Sequence, residues 1–192
     1  MRKLDVQDLW PLPIYEGVRD QFQREVIAAK QARRVAVGPV VTFVFENRLT
    51  VKFQVQEILR AERIVAEEQV REELEGFNTM LPDKGELSAT LLVELAGSDR
   101  EVKAALARLS GLGDHLWLET AGRRTRGIME AGRDDGQRVS AVQYVRFPVA
   151  AAAAFAKGPA AIVIDHSAYS YRQELSETVR AELARDLVPE GS

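Results

Sequence analysis

Two histidines, and a helical stretch with carboxylates in apolar places, are the groups through which this chain could do chemistry. His115 and His166 are its only histidines. Either could serve as a general base near neutral pH or as a metal ligand. With one carboxylate added, the pair would suffice for a facial iron site or a zinc site with open positions. A divalent metal is therefore the cofactor this set would take. The spacing lends no support, because the two lie far apart with no His-x-His or Glu-x-x-His pattern. Asp165-His166 is the stronger half, since it follows the apolar run Ala160 to Ile164 at the end of an expected strand. The competing reading of each histidine is a hydrogen-bonded part of the fold.

The carboxylates lie in Glu46 to Ile64, ENRLTVKFQVQEILRAERI. Asn47 suits a helix N-cap, its side chain accepting from the free amides of the first turn. At 100° per residue, Val51, Val55, Ile58, Leu59 and Val65 share one face. Phe53, Ala61 and Ile64 make a second apolar strip, and Lys52, Gln56, Arg60 and Arg63 make a wet one. A helix apolar on two sides is expected to be sandwiched between other elements. Glu62 projects from the first strip and Glu57 from the second, with Gln54 one turn before it. A buried carboxylate must be paired, hydrogen-bonded, protonated or bound to a cation. Two readings stand: an ion pair with an Arg of a neighbouring element, or a ligand or acid–base site. The two glutamates point about 140° apart, so they cannot share one site as a carboxylate pair. Glu46, Asn47, Arg48, Gln54, Glu57, Arg60 and Glu62 form the candidate polar cluster.

Other elements must position these groups. Ile14, Val18, Phe22, Val26 and Ala29 line one stripe of a helix running to Arg33, with Pro11 and Pro13 at its start. Arg33-Arg34 read as C-terminal charges facing the helix dipole. Val35 to Phe45 reads as a hairpin broken at Gly38-Pro39. Glu67 to Leu81 reads as a helix joined to the central one by a short link, an αα-hairpin. Its acidic exposed face argues against a DNA-reading helix-turn-helix. A strand is expected over Glu86 to Leu95, and a helix opened by the capping box Ser98-Asp99-Arg100-Glu101. A strand over His115 to Thr120 would close a strand–helix–strand unit. Further strands are expected at Arg126 to Glu130 and Val139 to Phe147, around the turn Gly132-Arg133-Asp134-Asp135-Gly136. Arg123, Arg124 and Arg126 read as a solvated turn, with Glu119 and Asp134 to neutralise part of their charge. A short helix over Val149 to Lys157, a strand over Ala160 to Ile164, a last helix capped by Ser176 and a loose tail after Pro189 complete the chain.

Composition narrows the function. The 192 residues are 46% hydrophobic and 29% charged, as in ordinary globular proteins. One α+β domain is expected, 1–192, with an N-terminal helical part over about 1–82 and a sheet-rich part over about 83–192. A net charge of −3 argues against a nucleic-acid or anionic-membrane binder. The absence of cysteine excludes an iron–sulfur cluster held by this chain, thiol nucleophiles and disulfides. The N-terminus has no apolar core of a signal peptide, and no run approaches the about 20 apolar residues of a spanning helix. A cytoplasmic location is expected. There is no phosphate loop, no complete dinucleotide glycine pattern and no Gly-x-Ser-x-Gly elbow.

The segments VAVGPVVTFVFENR, FQVQEILRAERI, GELSATLLVEL, HLWLE, SAVQYVRFPV and DHSAY, in this order, resemble a bacterial family catalogued only as a domain of unknown function. The resemblance runs from DLWPLPIYEGVRDQF to the final helix. Genes of that family are often found beside those for rubrerythrin and heterodisulfide-reductase-like iron–sulfur proteins. This implies a part in peroxide or electron-transfer metabolism and a partner protein from such a system. The family motif residues matched here are Glu46, Asn47, Arg48, Gln54, Gln56, Glu57, Arg60, Glu62, Asn78, His115, Asp165 and His166.

The expected fold is α+β, a mainly antiparallel sheet with an N-terminal helical layer and further covering helices. Two functions are open: a non-enzymatic accessory or adaptor of an iron or redox system, or a small metal-binding protein or enzyme using Glu57, Glu62, His115 and His166. An adaptor needs an exposed apolar patch. An enzyme needs a concave site where these groups converge.

Overall fold

The computed structural model describes residues 1–130 and 139–188. The expected turn at residues 132–136, Asp134 within it, and the tail after Pro189 lie outside the described residues. The fold is α+β, with six α-helices and two antiparallel sheets among those residues.

The first sheet has the order β1 (Arg34–Val37), β2 (Val41–Phe45), β3 (Glu86–Val93), β7 (Val142–Pro148) and β6 (Ile128–Met129). The second has the order β5 (Arg123–Arg126), β4 (Leu116–Thr120), β8 (Ala160–His166) and β9 (Tyr169–Glu174). The expected strand–helix–strand unit is corrected here. β3 and β4 lie on either side of α4 (Asp99–Arg108) in the chain, but they belong to different sheets. Alternating apolar residues show that a strand has a buried face, not which sheet it joins.

One core fills the space between the sheets. Val35, Phe43, Leu91, Val145 and Phe147 from the first meet Leu116, Leu118, Ile162 and Ile164 from the second, with Leu183 and Leu187 of α6 (Glu177–Leu187) and Phe155 of α5 (Ala152–Lys157). The sheets are joined at both flanks. β5 and β6 are separated only by Gly127, whose N–H donates to the Leu116 carbonyl at 2.8 Å. A Cβ there would lie 2.7 Å from the Phe147 ring and 3.1 Å from Leu116 and Val145, so only glycine lets the chain pass from one sheet to the other. At the opposite flank the Tyr169 hydroxyl donates to the Val37 carbonyl at 2.7 Å and accepts the amides of Val40 and Val41, each at 3.1 Å. This ties β9 to the β1–β2 turn.

The helical layer is α1 (Leu12–Gln31), α2 (Arg48–Glu62) and α3 (Glu67–Asn78). Proline at the start of α1 occupies a position whose N–H needs no partner. Its inward residues are Tyr15, Phe22 and Val26; Ile14, expected inside, is 55% exposed. Asn47 caps α2 as expected, accepting from the Thr50 amide at 3.0 Å. Val51, Val55 and Leu59 pack on Val70 and Leu74 of α3, and Phe53 on the aromatic cluster of α1. α2 is therefore sandwiched, as its two apolar strips require. The helix stops at Glu62 because Arg63 turns left-handed at φ 56°, and the Ile64 amide donates to the Leu59 carbonyl. Ser98 and Glu101 form the expected capping box at α4. No helix among the described residues is long and apolar enough to cross a membrane.

Candidate functional site

The polar residues of α2 fall into separate networks. Glu57 reaches α1, where Arg19 grips it with two hydrogen bonds, from Nε at 2.8 Å and Nη2 at 2.7 Å, and the Tyr15 hydroxyl donates at 2.8 Å. The Arg19 guanidinium holds the Glu57 carboxyl below its ordinary range, against the opposing effect of burial. Burial, reinforced by the Glu57 charge, pushes the Tyr15 phenol up. This is the ion-pair reading of Glu57, with an arginine from the neighbouring helix as partner. Arg60 lies 2.9 Å from Glu16 of α1, an ion pair whose angle falls short of a hydrogen bond. Arg48 ties down the N-terminal segment, donating to the carbonyls of Arg2 and Lys3 at 2.7 and 2.8 Å and pairing with Asp8 at 2.8 Å.

Glu46 is the buried carboxylate of the cluster, at 2% exposure. Three neutral groups donate to it: the hydroxyls of Thr50 and Thr90, and the Gln54 amide at 3.2 Å. It pins the start of α2 to β3. Glu62 departs from expectation: it lies on the surface. The apolar strip continues on the helical wheel, but the helix ends at that residue. Gln56 departs in the other direction and is fully buried. It accepts from the Trp10 amide at 2.7 Å and donates to the Trp10 carbonyl at 3.3 Å, so the N-terminal segment covers the face expected to be wet. Lys52, on the same face, sits 3.5 Å from the centre of the Trp10 ring. Burial lowers the pKa of its ammonium.

Arg33 is also corrected. It is fully buried instead of capping a helix dipole, and it reads two chain segments at once. It donates to the carbonyls of Phe45 at 2.9 Å and Glu46 at 3.2 Å, and pairs with Glu182 at 3.0 Å and with Asp186. Nothing in its local sequence distinguishes it from Arg34, which lies on the surface.

The histidines do come together, because β4 and β8 are neighbours. His115 ends a short 3-10 turn (Leu112–His115) instead of opening the strand. Its ring meets that of His166 edge to face, with centres 5.1 Å apart. Asp165 Oδ1 receives His115 Nδ1 at 3.1 Å and Trp117 Nε1 at 2.9 Å, and Arg124 stands 3.5 Å from the other oxygen. The Trp117 N–H does most to hold the Asp165 carboxyl below its ordinary range, with His115 adding to it. His166 is spent within the fold: Nε2 meets the Ser110 carbonyl at 3.0 Å, and Nδ1 accepts from the Ala168 amide at 3.2 Å. With Nδ1 accepting, Nε2 is the nitrogen that donates to the Ser110 carbonyl. Among the described residues His115 Nε2 has no hydrogen-bond partner, and the side chain is half exposed. No contact among the described residues links the histidines to Glu57 or Glu62, and no group of three or more ligand-type side chains there could hold a metal.

Arg124 and Arg126 of the β4–β5 hairpin are paired. Arg124 and Arg172 both hold Glu119, at 2.7 and 2.9 Å, and Arg126 pairs with Asp114.

A different surface is open. Between the N-terminal segment and the α2–α3 corner runs an apolar groove of about 310 Å³. Leu9, Trp10, Leu12, Ile64, Val65 and Val70 line most of it, and Glu67 is its charged side chain. Val65 at the corner is 77% exposed. The apolar residues of the groove follow from the sequence, but its opening does not, because it depends on where the N-terminal segment is fixed by Arg48 and Gln56.

The fold is shared with a solved protein of unknown function from Burkholderia pseudomallei. The two are 32% identical, the match covers 97% of this chain and 100% of that one, and the TM-score is 0.91. A search of curated proteins finds no match. Residues 3–187 match the family described as "Protein of unknown function (DUF3501)", and the chain belongs to that family.

Proposed function

We propose that the protein is a non-enzymatic accessory of a cytoplasmic iron or redox system, an adaptor that docks a partner protein. The observation that carries this reading is the open apolar groove at the α2–α3 corner, with Val65 standing in solvent beside it. A large exposed valine at the rim of an apolar groove is an interaction feature. The polar groups inside the fold, in contrast, hold elements together: half-buried Glu57 ties α2 to α1, buried Glu46 ties α2 to β3, and buried Arg33 ties α6 to β2. The gene neighbourhood implied by the family resemblance supplies the partners to try, a rubrerythrin and a heterodisulfide-reductase-like iron–sulfur protein. Titration calorimetry of the purified protein against each tests the reading. Binding tighter than about 10 μM to one of them is expected, the range of a transient protein complex. No heat of binding with either would overturn it.

His115 supports a second reading, a metal or acid–base centre, because Asp165 orients its ring and leaves Nε2 open, as in a carboxylate–histidine–metal arrangement. Elemental analysis of protein purified without chelators decides it. Near-stoichiometric metal that is lost in His115→Ala and kept in His166→Ala favours this reading, and metal-free protein after reconstitution removes it.

A further inference from the structure

We propose that Lys52 is a modification site: its amine takes a small acyl group from an activated donor, an acyl phosphate or a thioester, and the acylated side chain moves the Trp10 wall of the groove. The consequence for docking rests on the adaptor reading; the site itself does not. Lys52 Nζ lies 3.5 Å from the centre of the Trp10 ring and 5.7 Å from that of Phe22. Those two rings meet edge to face at 4.9 Å, so the amine sits in an aromatic niche. Among the described residues it has no hydrogen bond and no ion pair. Of the other lysines, Lys3 donates to the Asn78 carbonyl at 2.9 Å and pairs with Asp83 at 3.6 Å, whereas Lys84, Lys103 and Lys157 stand in solvent.

A lysine becomes nucleophilic near neutral pH by removal from water or beside another cation. Lys52 meets both conditions. Burial does most to lower its pKa; Asp8 and Glu25 oppose this, and Arg48, one turn earlier on α2, adds to it. Asp8 is already shared between Arg2 and Arg48. The ring faces attract the ammonium but offer the neutral amine no hydrogen to accept, so its lone pair stays free. The side chain is partly exposed, which leaves a path for a small donor. In the reaction Nζ attacks the acyl carbon and an N–C bond forms. The C–O bond to phosphate, or the C–S bond to the thiol, breaks; that group leaves with the electron pair, and the surplus proton goes to water. The product is neutral, so its attraction to the rings weakens, and the acyl group adds bulk between Trp10 and Phe22. Gln56 holds Trp10 by its backbone, so the ring is the part that must give way. That ring lines the groove.

The probes are acetyl phosphate and acetyl-coenzyme A, each incubated with the full chain near neutral pH, with acetylation of every lysine timed by peptide mass spectrometry. Lys52 should react at least about threefold faster than Lys84, Lys103 and Lys157, and the preference should vanish in urea, where the niche is gone. A preference with acetyl phosphate alone assigns an acyl phosphate as the source, and one with the coenzyme alone assigns a thioester. Equal or slower reaction of Lys52 with both donors would overturn the site. Lys52→Gln, which imitates the acylated state, and the acetylated wild type should both change tryptophan emission and its quenching by acrylamide. Lys52→Arg, which keeps the charge, should not; Trp117, on the second sheet, contributes equally to all. Emission identical in wild type, acetylated protein and Lys52→Gln would overturn the coupling to Trp10. The readings fail separately. If a redox partner binds native and acetylated protein equally, the adaptor reading stands and the coupling to docking falls. If Lys52 is preferred while neither redox partner binds, the acylation site stands and the adaptor reading falls.

Discussion

Removing Arg33 should be among the most damaging single changes in this protein, and the damage should depend on pH. The side chain is fully buried and Asp186 opposite it is 6% exposed. Arg33→Met leaves that carboxylate stranded and deprives the Phe45 and Glu46 carbonyls of a donor. Breaking a buried ion pair from one side costs about 3–5 kcal/mol. In a chain of this length each kcal/mol lowers the melting temperature by roughly 2–4 °C, so a fall of about 6–20 °C is expected at pH 7. Asp186 can escape by taking up a proton. Burial already pushes its carboxyl up, and Arg33 opposes that. A carboxyl raised in the folded state contributes stability that is present at low pH and lost as pH rises through its folded pKa. Without Arg33 the folded pKa rises further, so the gap between wild type and variant should narrow from pH 8 to pH 5. Adding Asp186→Asn to Arg33→Met should recover part of the loss at pH 7 and flatten the pH dependence. Thermal melts read by circular dichroism at pH 5, 6, 7 and 8 measure all of this. A fall below about 2 °C, or a gap independent of pH, would refute the reasoning.

Other substitutions test other parts of the structure. Glu62→Ala should change unfolding free energy by less than about 0.5 kcal/mol in urea melts, since its side chain is in solvent; a loss of several kcal/mol would mean that it is buried after all. Arg19 lowers the folded pKa of Glu57, so the stability from that pair is present above about pH 4.3 and lost as pH falls through the folded value. Glu57→Gln should therefore flatten the acid limb of stability against pH, and an unchanged limb would count against the pair. Carbethoxylation followed by mass spectrometry should modify His115 well before His166, and His166→Ala should cost about 1–3 kcal/mol by removing its hydrogen bonds with the Ser110 carbonyl and the Ala168 amide; equal reactivity of the two would contradict these assigned contacts. Gly38 has φ 74°, and a Cβ there would lie 2.5 Å from the Tyr169 hydroxyl oxygen. Gly38→Ala should lower stability by at least about 1–2 kcal/mol from backbone strain alone, more if the tyrosine is displaced, as urea melts would read.

What could be read from the sequence was local. The Asn47 cap, the Ser98–Glu101 box, the hairpin through Gly38 and the α2–α3 pair each depend on residues within a few positions, and they stand as expected. Glu57 was legible as a misfit in an apolar strip, and its partner proves to be an arginine on the adjacent helix. Glu62 had the same signature and a different fate, because the wheel carries no information on where a helix stops; Arg63 ends α2 in a left-handed turn without the usual glycine signal. Gln56 looked solvated because nothing local shows that Trp10 folds back over it. The meeting of His115 and His166, the burial of Arg33 and the split of β3 and β4 between sheets all depend on contacts between distant segments. The histidine spacing in sequence concealed a pair that strand pairing makes adjacent.

The order in which the strands leave the chain has a consequence for synthesis. β3 is paired on one side by β2 almost as soon as it is made, but its other neighbour, β7, begins at Val142, after the chain has passed through α4 and two strands of the other sheet. At about 5–20 residues per second, the ribosome takes roughly 2–10 s to cover that interval. During it the nascent chain presents an unpaired β3 edge beside Leu87, Ala89, Leu91 and Val93, whose covering strands and C-terminal helix do not yet exist. An elongating polypeptide in that state is suited to holdase binding. Clearing the exit tunnel through α6 is what first allows the interior to close.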